Sequence, residues 1–359
     1  MSRRLITAIE IDGAGGHPGA WRGAEVDPAA ILTGELALQA VQRAEAAGVD
    51  LATFTDTLEA PADIPDRVSV WLDALGLAAR IAPATDRIGL LPTITVTHTE
   101  PFHVQAAVAT LDFVSSGRGG WVADVSTSAE AAAVIGRRDP APVADTWREA
   151  RYVVDVSRHL WDSWEDDAII RDASTGRFID RDRIHYVDYE SPTFSIKGPS
   201  IVPRPPQGHP ITAVRVNTPE ALEAAAEADV VLLRGTTELA ERVAAVRSVG
   251  SARVLVSVSV LLDEDPAAAA VRADGASHLD HIGGVERLAD LIGDWKVAGV
   301  DGVHLRPASL EVDVPAIAER LLPLLRAKKL AGPAADRATT VRNRLGLRRP
   351  ENRYTGSTR

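Results

Sequence analysis

The sequence predicts an α/β fold, a (β/α)8 TIM barrel, on three observations. Short β-rich runs alternate with helical patterns, the alternation repeats eight times, and the runs are continuously apolar, as in Val254-Leu255-Val256-Ser257-Val258. Unbroken apolar runs suit parallel strands covered on both faces, whereas a half-exposed strand alternates polar and apolar residues. Eight βα units with right-handed crossovers close naturally into a barrel. An open doubly wound sheet is the runner-up.

Taken in order, the first strand falls at residues 5–11 and its helix at 34–47, stopped by Gly48. Strands at 51–55 and 88–91 are followed by helices at 66–80 and 101–115. A strand at 120–123 leads to a helix at 146–160, and one at 211–216 to a helix at 219–227. The last three units pair strands 230–233, 253–260 and 302–305 with helices 237–249, 285–298 and 314–327. Two stretches do not fit the repeat. Residues 161–208 are polar and rich in Asp, Arg and Pro, with β-like pieces at 184–189 and 194–196. They read as an excursion of the barrel, and loops of this length are usually lids or interface elements. Residues 331–359 form a basic tail, expected to wrap the surface or a neighbouring subunit or to remain a solvated end. Residues 1–330 are thus read as one barrel domain, with the insertion at about 161–208, followed by the tail.

Composition narrows the function. A formal net charge of −11 disfavours phosphate-backbone or anionic-membrane binding, so neither nucleic acid nor membrane is an expected partner. With no cysteine, no disulfide, thiolate metal site or cysteine nucleophile is possible. No signal-peptide core follows Met1 and no apolar run approaches a membrane span, so a cytoplasmic location is expected. Gly13-Ala14-Gly15-Gly16 follows the first strand but runs into His17-Pro18, a loop rather than a dinucleotide turn. His278-x-x-His281, beside Asp274 and Asp280, reads as solvated loop rather than metal site, and no metal is expected. No nucleophile elbow supports a hydrolase.

Barrel chemistry sits where strands end at the C-terminal face. Those ends carry His17, Asp56, Thr93, Thr95, Asp124, residues 216–218 including Asn217 and Thr218, Arg234, and His304 with Arg306. Hydroxyls, a few carboxylates and cations could hold an organic cofactor that performs the chemistry itself. Each also has a plainer role, since polar residues at strand ends often cap the next helix; Asp56 before Thr57 is a case.

Segment after segment also resembles one branch of the luciferase-like flavin monooxygenases, which includes nitrilotriacetate, dibenzothiophene-sulfone and pristinamycin-forming enzymes. The resembling runs are Gly16-His17-Pro18-Gly19-Ala20-Trp21-Arg22, Phe54-Thr55-Asp56-Thr57 and Thr99-Glu100-Pro101-Phe102-His103. Further runs are Ser115-Ser116-Gly117-Arg118-Gly119-Gly120-Trp121, Leu160-Trp161-Asp162-Ser163-Trp164-Glu165-Asp166-Asp167 and Arg204-Pro205-Pro206-Gln207-Gly208. Asn343-Arg344-Leu345-Gly346-Leu347-Arg348-Arg349-Pro350-Glu351-Asn352-Arg353-Tyr354 is similar to the family's closing motif, so the likeness covers nearly the whole chain in order.

The resemblance implies reduced FMN supplied by a separate NAD(P)H-dependent flavin reductase, O2, a small-molecule substrate and a homodimer. It places Asp56, Thr93 and Thr95 at the flavin ring, Arg151-Tyr152 near the flavin, and His17 with Trp21 on the substrate side, His17 being the candidate catalytic residue. The sequence departs from the family pattern at three places. Val122-Ala123-Asp124 follows Trp121 where Asn then Val-Thr-Ser is usual, Asp145-Thr146-Trp147 stands where a His is usual, and Arg215-Val216-Asn217-Thr218-Pro219-Glu220 replaces the Gln-Ala-Gly phosphate turn. Thr218 and the amides beyond it remain available to a phosphate, with Glu220 opposing it. Two alternatives therefore stand beside the FMN enzyme: an accessory protein with a degenerate flavin site, or an oxidoreductase using the deazaflavin F420.

Overall fold

The computed structural model describes residues 4–22, 29–59, 70–274, 276, 279–333 and 339–355. Eight parallel strands form a closed barrel: β1 (Ile6–Ile11), β2 (Leu51–Phe54), β3 (Gly89–Thr95), β4 (Gly120–Asp124), β5 (Ile211–Val216), β6 (Val230–Arg234), β7 (Arg253–Leu262) and β8 (Gly302–Pro307). Each pairs with its neighbours in sequence, and β8 returns to β1 with Ile6 opposite Gly302, so no edge is left open. A short strand, His281–Gly283, extends the sheet beside the upper half of β7. The runner-up open sheet is excluded by this closure.

The helices lie outside: α1 (Glu35–Ala47), α2 (Ala74–Ile81), α3 (Pro101–Val114), α4 (Val143–Asp162), α5 (Leu222–Ala225), α6 (Leu239–Val249), α7 (Val285–Val297) and α8 (Leu310–Ala316). The last is prolonged by a π turn and a further helix, Leu322–Ala327. Their apolar faces and the outward strand residues, Ile9, Phe54, Trp121 and Val256 among them, make the principal core. The expected helix at 66–80 begins only at Ala74 among the described residues, because the Asp73 side chain accepts from the Gly76 amide and sets the start there. The helix expected at 219–227 shrinks to a 3-10 turn and one turn of α5, since Thr218 makes no side-chain cap to its first amides. A further helix at Ala129–Ile135 is not signalled by the eightfold pattern.

The excursion after α4 carries two small hairpins, Ile169–Asp172 with Arg177–Ile179 and Tyr189–Glu190 with Ser195–Ile196. The expected strand at 184–189 survives as an isolated bridge of Ile184 to Trp164, just after a 3-10 turn at Arg181–Arg183, and as the strand that begins at Tyr189. The first hairpin goes beyond the sequence pattern, although Asp172 accepting from Ser174 and Thr175 marks its turn.

Inside the barrel the lining changes with height. At the N-terminal base, Ile6, Ala8, Leu51, Leu91, Val122, Ile211, Val230 and Leu255 pack into an apolar plug. The tail completes it: Val341 and Leu345, flanking a short helix at Val341–Arg344, are buried against these residues. Burial of two such side chains contributes roughly 1.5–3 kcal/mol each. The tail therefore wraps this chain's own barrel. Arg342 fixes it there, donating to both oxygens of Asp229 at 2.9 and 2.7 Å and to the His209 carbonyl at 2.8 Å. Further on, Arg349 and Arg353 reach Asp166 and Asp162, and Asn352 donates to the carbonyls of Asp162 and Trp164, tying tail to excursion.

Candidate functional site

Above the apolar plug the barrel axis turns polar. His304 on β8 is fully buried between the hydroxyls of Thr53 and Ser257, each 2.8 Å from a ring nitrogen. Burial pushes its pKa down to about 3, so the ring is neutral and acts as a strut between β2 and β7. The expectation that His304 lines the mouth is therefore corrected: its side chain points along the axis, one layer below.

The next layer up is ionic. Glu10 on β1 is 3% exposed and accepts from Arg306 at 2.6 Å and from Arg215 at 2.8 Å. Arg215 on β5 also donates to Thr93 at 2.9 Å and, more distantly at 3.3 Å, to Asp124. Arg306 donates to Ser259 at 3.1 Å. Six side chains from six of the eight strands are thus joined through two guanidinium groups. Burial by itself raises the Glu10 pKa, but the charges of Arg306 and Arg215 outweigh it and hold the carboxyl well below the usual range. Burial likewise works against charge on Arg215, and Glu10 and Asp124 overcome it. Asp12, just above, is pushed up by burial and then by the Glu10 charge.

Sequence reasoning missed Glu10 and Arg215, the centre of this layer. The available signal was a single charge inside each of two apolar strands, Ile9-Glu10-Ile11 and Val214-Arg215-Val216, at positions where the pleat turns inward.

Around the rim the expected residues separate by role. Thr93 and Asp124 converge at Arg215. Thr95 ends β3, half-buried, and its carbonyl accepts from the Thr99 hydroxyl at 2.8 Å. Asp56 accepts from the amides of Thr57 and Ala74 at 2.8 and 2.9 Å, helping to cap α2, and burial raises its pKa. Asn217 and Thr218 face a separate cavity of about 170 Å³, with Pro219, Leu222, Leu233 and Arg242. Beside it the exposed Glu220 carboxylate takes hydrogen bonds from its own amide and the Thr218 hydroxyl, which lower its pKa.

His17 lies on the loop after β1, in a groove of about 480 Å³ with Leu261, Arg272 and Ser309. Its Nδ1 accepts from the Gly19 amide at 2.9 Å, and Nε2 stands 3.1 Å from the Asp274 carbonyl, so it is the donor. The loop is pinned to the end of β8 by the Gly16 and His17 amides, which donate to Pro307 and Ala308. Gly15, at φ +138°, makes that approach possible, since a Cβ there would stand 2.3 Å from the Ala308 carbonyl oxygen. The structure does not bring Arg151 and Tyr152 into the ionic layer. Arg151 is exposed on α4 with Nε 3.6 Å from Glu227, and Tyr152 is half-buried on the same helix. Arg234 is exposed at the end of β6. His278 lies outside the described residues, and among the described residues no group of three His, Asp or Glu is arranged to hold a metal. Among those residues, too, no helix is long and apolar enough to cross a membrane.

A family model described as luciferase-like monooxygenase matches residues 16–309. The chain is 31% identical over 320 residues to a subunit of pristinamycin IIA synthase from Streptomyces pristinaespiralis, covering 89% of this chain and 91% of that one. It is 29% identical over 209 residues to N-acetyl-S-(2-succino)cysteine monooxygenase of Bacillus subtilis (strain 168), covering 58% of this chain and about half, 47%, of that protein. The solved structure of EDTA monooxygenase from Chelativorans sp. BNC1 superposes with a TM-score of 0.83 at 20% identity, covering 97% of this chain and 99% of that one.

Proposed function

The chain belongs to the luciferase-like monooxygenase family, and from that premise we propose that it works as an oxygenase-component subunit of a flavin-dependent two-component monooxygenase. In this reading reduced FMN comes from a separate NAD(P)H-dependent flavin reductase, and one oxygen atom of O2 passes to a small organic substrate in the cytoplasm. The barrel of residues 1–330 works as one unit whose base is closed by the tail, 331–359, and the chain pairs with a second member of the family, a copy of itself included. The observation that carries the reading is the family match over residues 16–309, which takes in the ends of β2 to β8 at the barrel mouth and the loop that follows β1.

Bound flavin would supply the oxygen chemistry, and the fit of this chain to FMN divides into two ends. At the ring end Thr93 and Asp124 have the right chemistry but are already engaged by Arg215. At the phosphate end Pro219 has no N–H to donate and the Glu220 carboxylate stands beside Thr218. The residues present do not fit FMN as a tightly held group. That observation favours a second reading within the first, a subunit that supports a flavin-bearing partner, and the relative matched from end to end is itself named as one subunit of a synthase.

The test is oxygenation in ¹⁸O2 with a flavin reductase, NADH and a panel of small organic substrates. It is run on the chain alone and on the complex it forms when co-expressed with a second family member. Incorporation of one labelled atom, dependent on the reductase and on this chain, is expected. Absence of labelled product from both preparations, each folded, overturns the proposal.

A further inference from the structure

We infer that Arg215 closes the ring end of this chain's own flavin site, so that the lone subunit does not take a flavin. The inference rests on the supporting-subunit reading above, and three observations carry it. Arg215 reaches across the barrel axis from β5 to Glu10 on β1, Thr93 on β3 and Asp124 on β4, with contacts of 2.8, 2.9 and 3.3 Å. The polar groups best placed to meet a cofactor are therefore spent on one side chain of the protein. A ligand that took Thr93 or Asp124 as its acceptor would have to compete with a charge-assisted hydrogen bond in a half-enclosed site, where such bonds are strongest.

The layer is also bonded within itself. Two cations, Arg215 and Arg306, meet two carboxylates, Glu10 and Asp124, and Ser259 takes a remaining donor of Arg306. That internal bonding leaves neither guanidinium group unpaired for an incoming ring system, and Asp12 stands just above. The third observation lies at the other end of the site. The Glu220 carboxylate stands beside Thr218 and Pro219 contributes no donor, which leaves Arg242 as the cation among the residues lining that cavity.

Replacement of Arg215 by a shorter neutral side chain should reopen the mouth without stranding Glu10, which keeps Arg306 at 2.6 Å. The experiment is an equilibrium titration of the full chain with riboflavin, followed by flavin fluorescence. Riboflavin has no phosphate, so it reads the ring end alone. The wild-type chain is expected to show no saturable quenching, and Arg215→Gln to gain at least about tenfold in affinity, ~1.4 kcal/mol. Arg215→Met carries the same expectation should the Gln variant not fold. Saturable binding by the wild-type chain as tight as by the variant overturns the closure. So does a folded variant, checked by circular dichroism, that gains nothing. Oxygenation by the two-chain preparation is read separately, so loss of the closure leaves the proposed function standing, and the reverse holds.

Discussion

The two ends of the barrel are built on opposite principles. The base is an apolar plug sealed from outside by Val341 and Leu345 of the tail, which is anchored beside them by the bidentate ion pair of Arg342 with Asp229. The mouth is held from inside by guanidinium groups that bridge strand to strand, with a neutral histidine strut beneath them. The difference teaches where specificity of function can reside. Apolar packing at the base is non-directional and tolerates any well-shaped hydrophobe. The ionic layer is directional, costs much to desolvate, and fails if one partner changes. The base serves stability, and under the proposed function the mouth sets what can be bound.

The largest expected effect lies at the base. Arg342→Ala takes the ion-pair partner from the half-buried Asp229 carboxylate, leaving it the Thr212 amide, and is expected to cost about 3–5 kcal/mol in a denaturant titration. A cost under ~1 kcal/mol would mean that the tail is held by its apolar contacts and by Arg349, Arg353 and Asn352 without this ion pair. Next, Leu345→Ala should cost about 3 kcal/mol, within the range for a buried Leu that leaves a partly collapsed cavity. An effect near zero would show that the plug closes without the tail.

The third prediction moves to the mouth and uses acid. His304 has its folded pKa depressed to about 3, below the unfolded value of about 6.5, so the unfolded chain binds the proton first. The stability of the neutral strut is therefore full above pH 6.5 and declines as pH falls toward 3. Acidification from pH 6.5 to 5 should remove about 2 kcal/mol through this residue, at ~1.4 kcal/mol per unit, and the total acid loss should be smaller by that amount in His304→Gln, where His209 and His281 still contribute. Equal acid sensitivity in the two proteins would break the contrast between a neutral strut and the ionic layer above it. Glu10 adds little loss in this window, because its unfolded carboxyl, at about 4.3, is still ionised above pH 5; with its folded pKa depressed, its contribution is lost only below that.

The smallest effect separates rim from axis. Asp56→Ala removes one acceptor at the start of α2 and should cost about 1 kcal/mol, with no change in the riboflavin response of Arg215→Gln. A change in that response would return Asp56 to the cofactor-facing set.

Much of the fold was legible in the strands themselves. Val254 to Val258 is apolar without interruption because β7 is covered on both faces, and the same logic found all eight strands. Boundaries failed where a cap decides them, as at Asp73, and where local turn chemistry makes a hairpin, as at Asp172. Of the expected site residues, Thr93 and Asp124 meet in space, whereas Arg151 turns to Glu227. Helix periodicity does not reveal which polar residue on a long helix faces a neighbouring element.

The sequence by itself determined the barrel, its order of strands, the excursion, the absence of cysteine chemistry and the family likeness. These follow from periodicity, composition and ordered motifs, all of which are local in the chain. The tertiary structure alone decided that the tail seals its own barrel, that His304 is a strut and that Arg215 spans the mouth. Glu10, Thr93, Asp124, Arg215 and Arg306 are spread along the chain, Glu10 and Arg306 standing 296 positions apart. Only the closed, tilted register of eight strands brings them to one height, where desolvation forces each charge to find its partner.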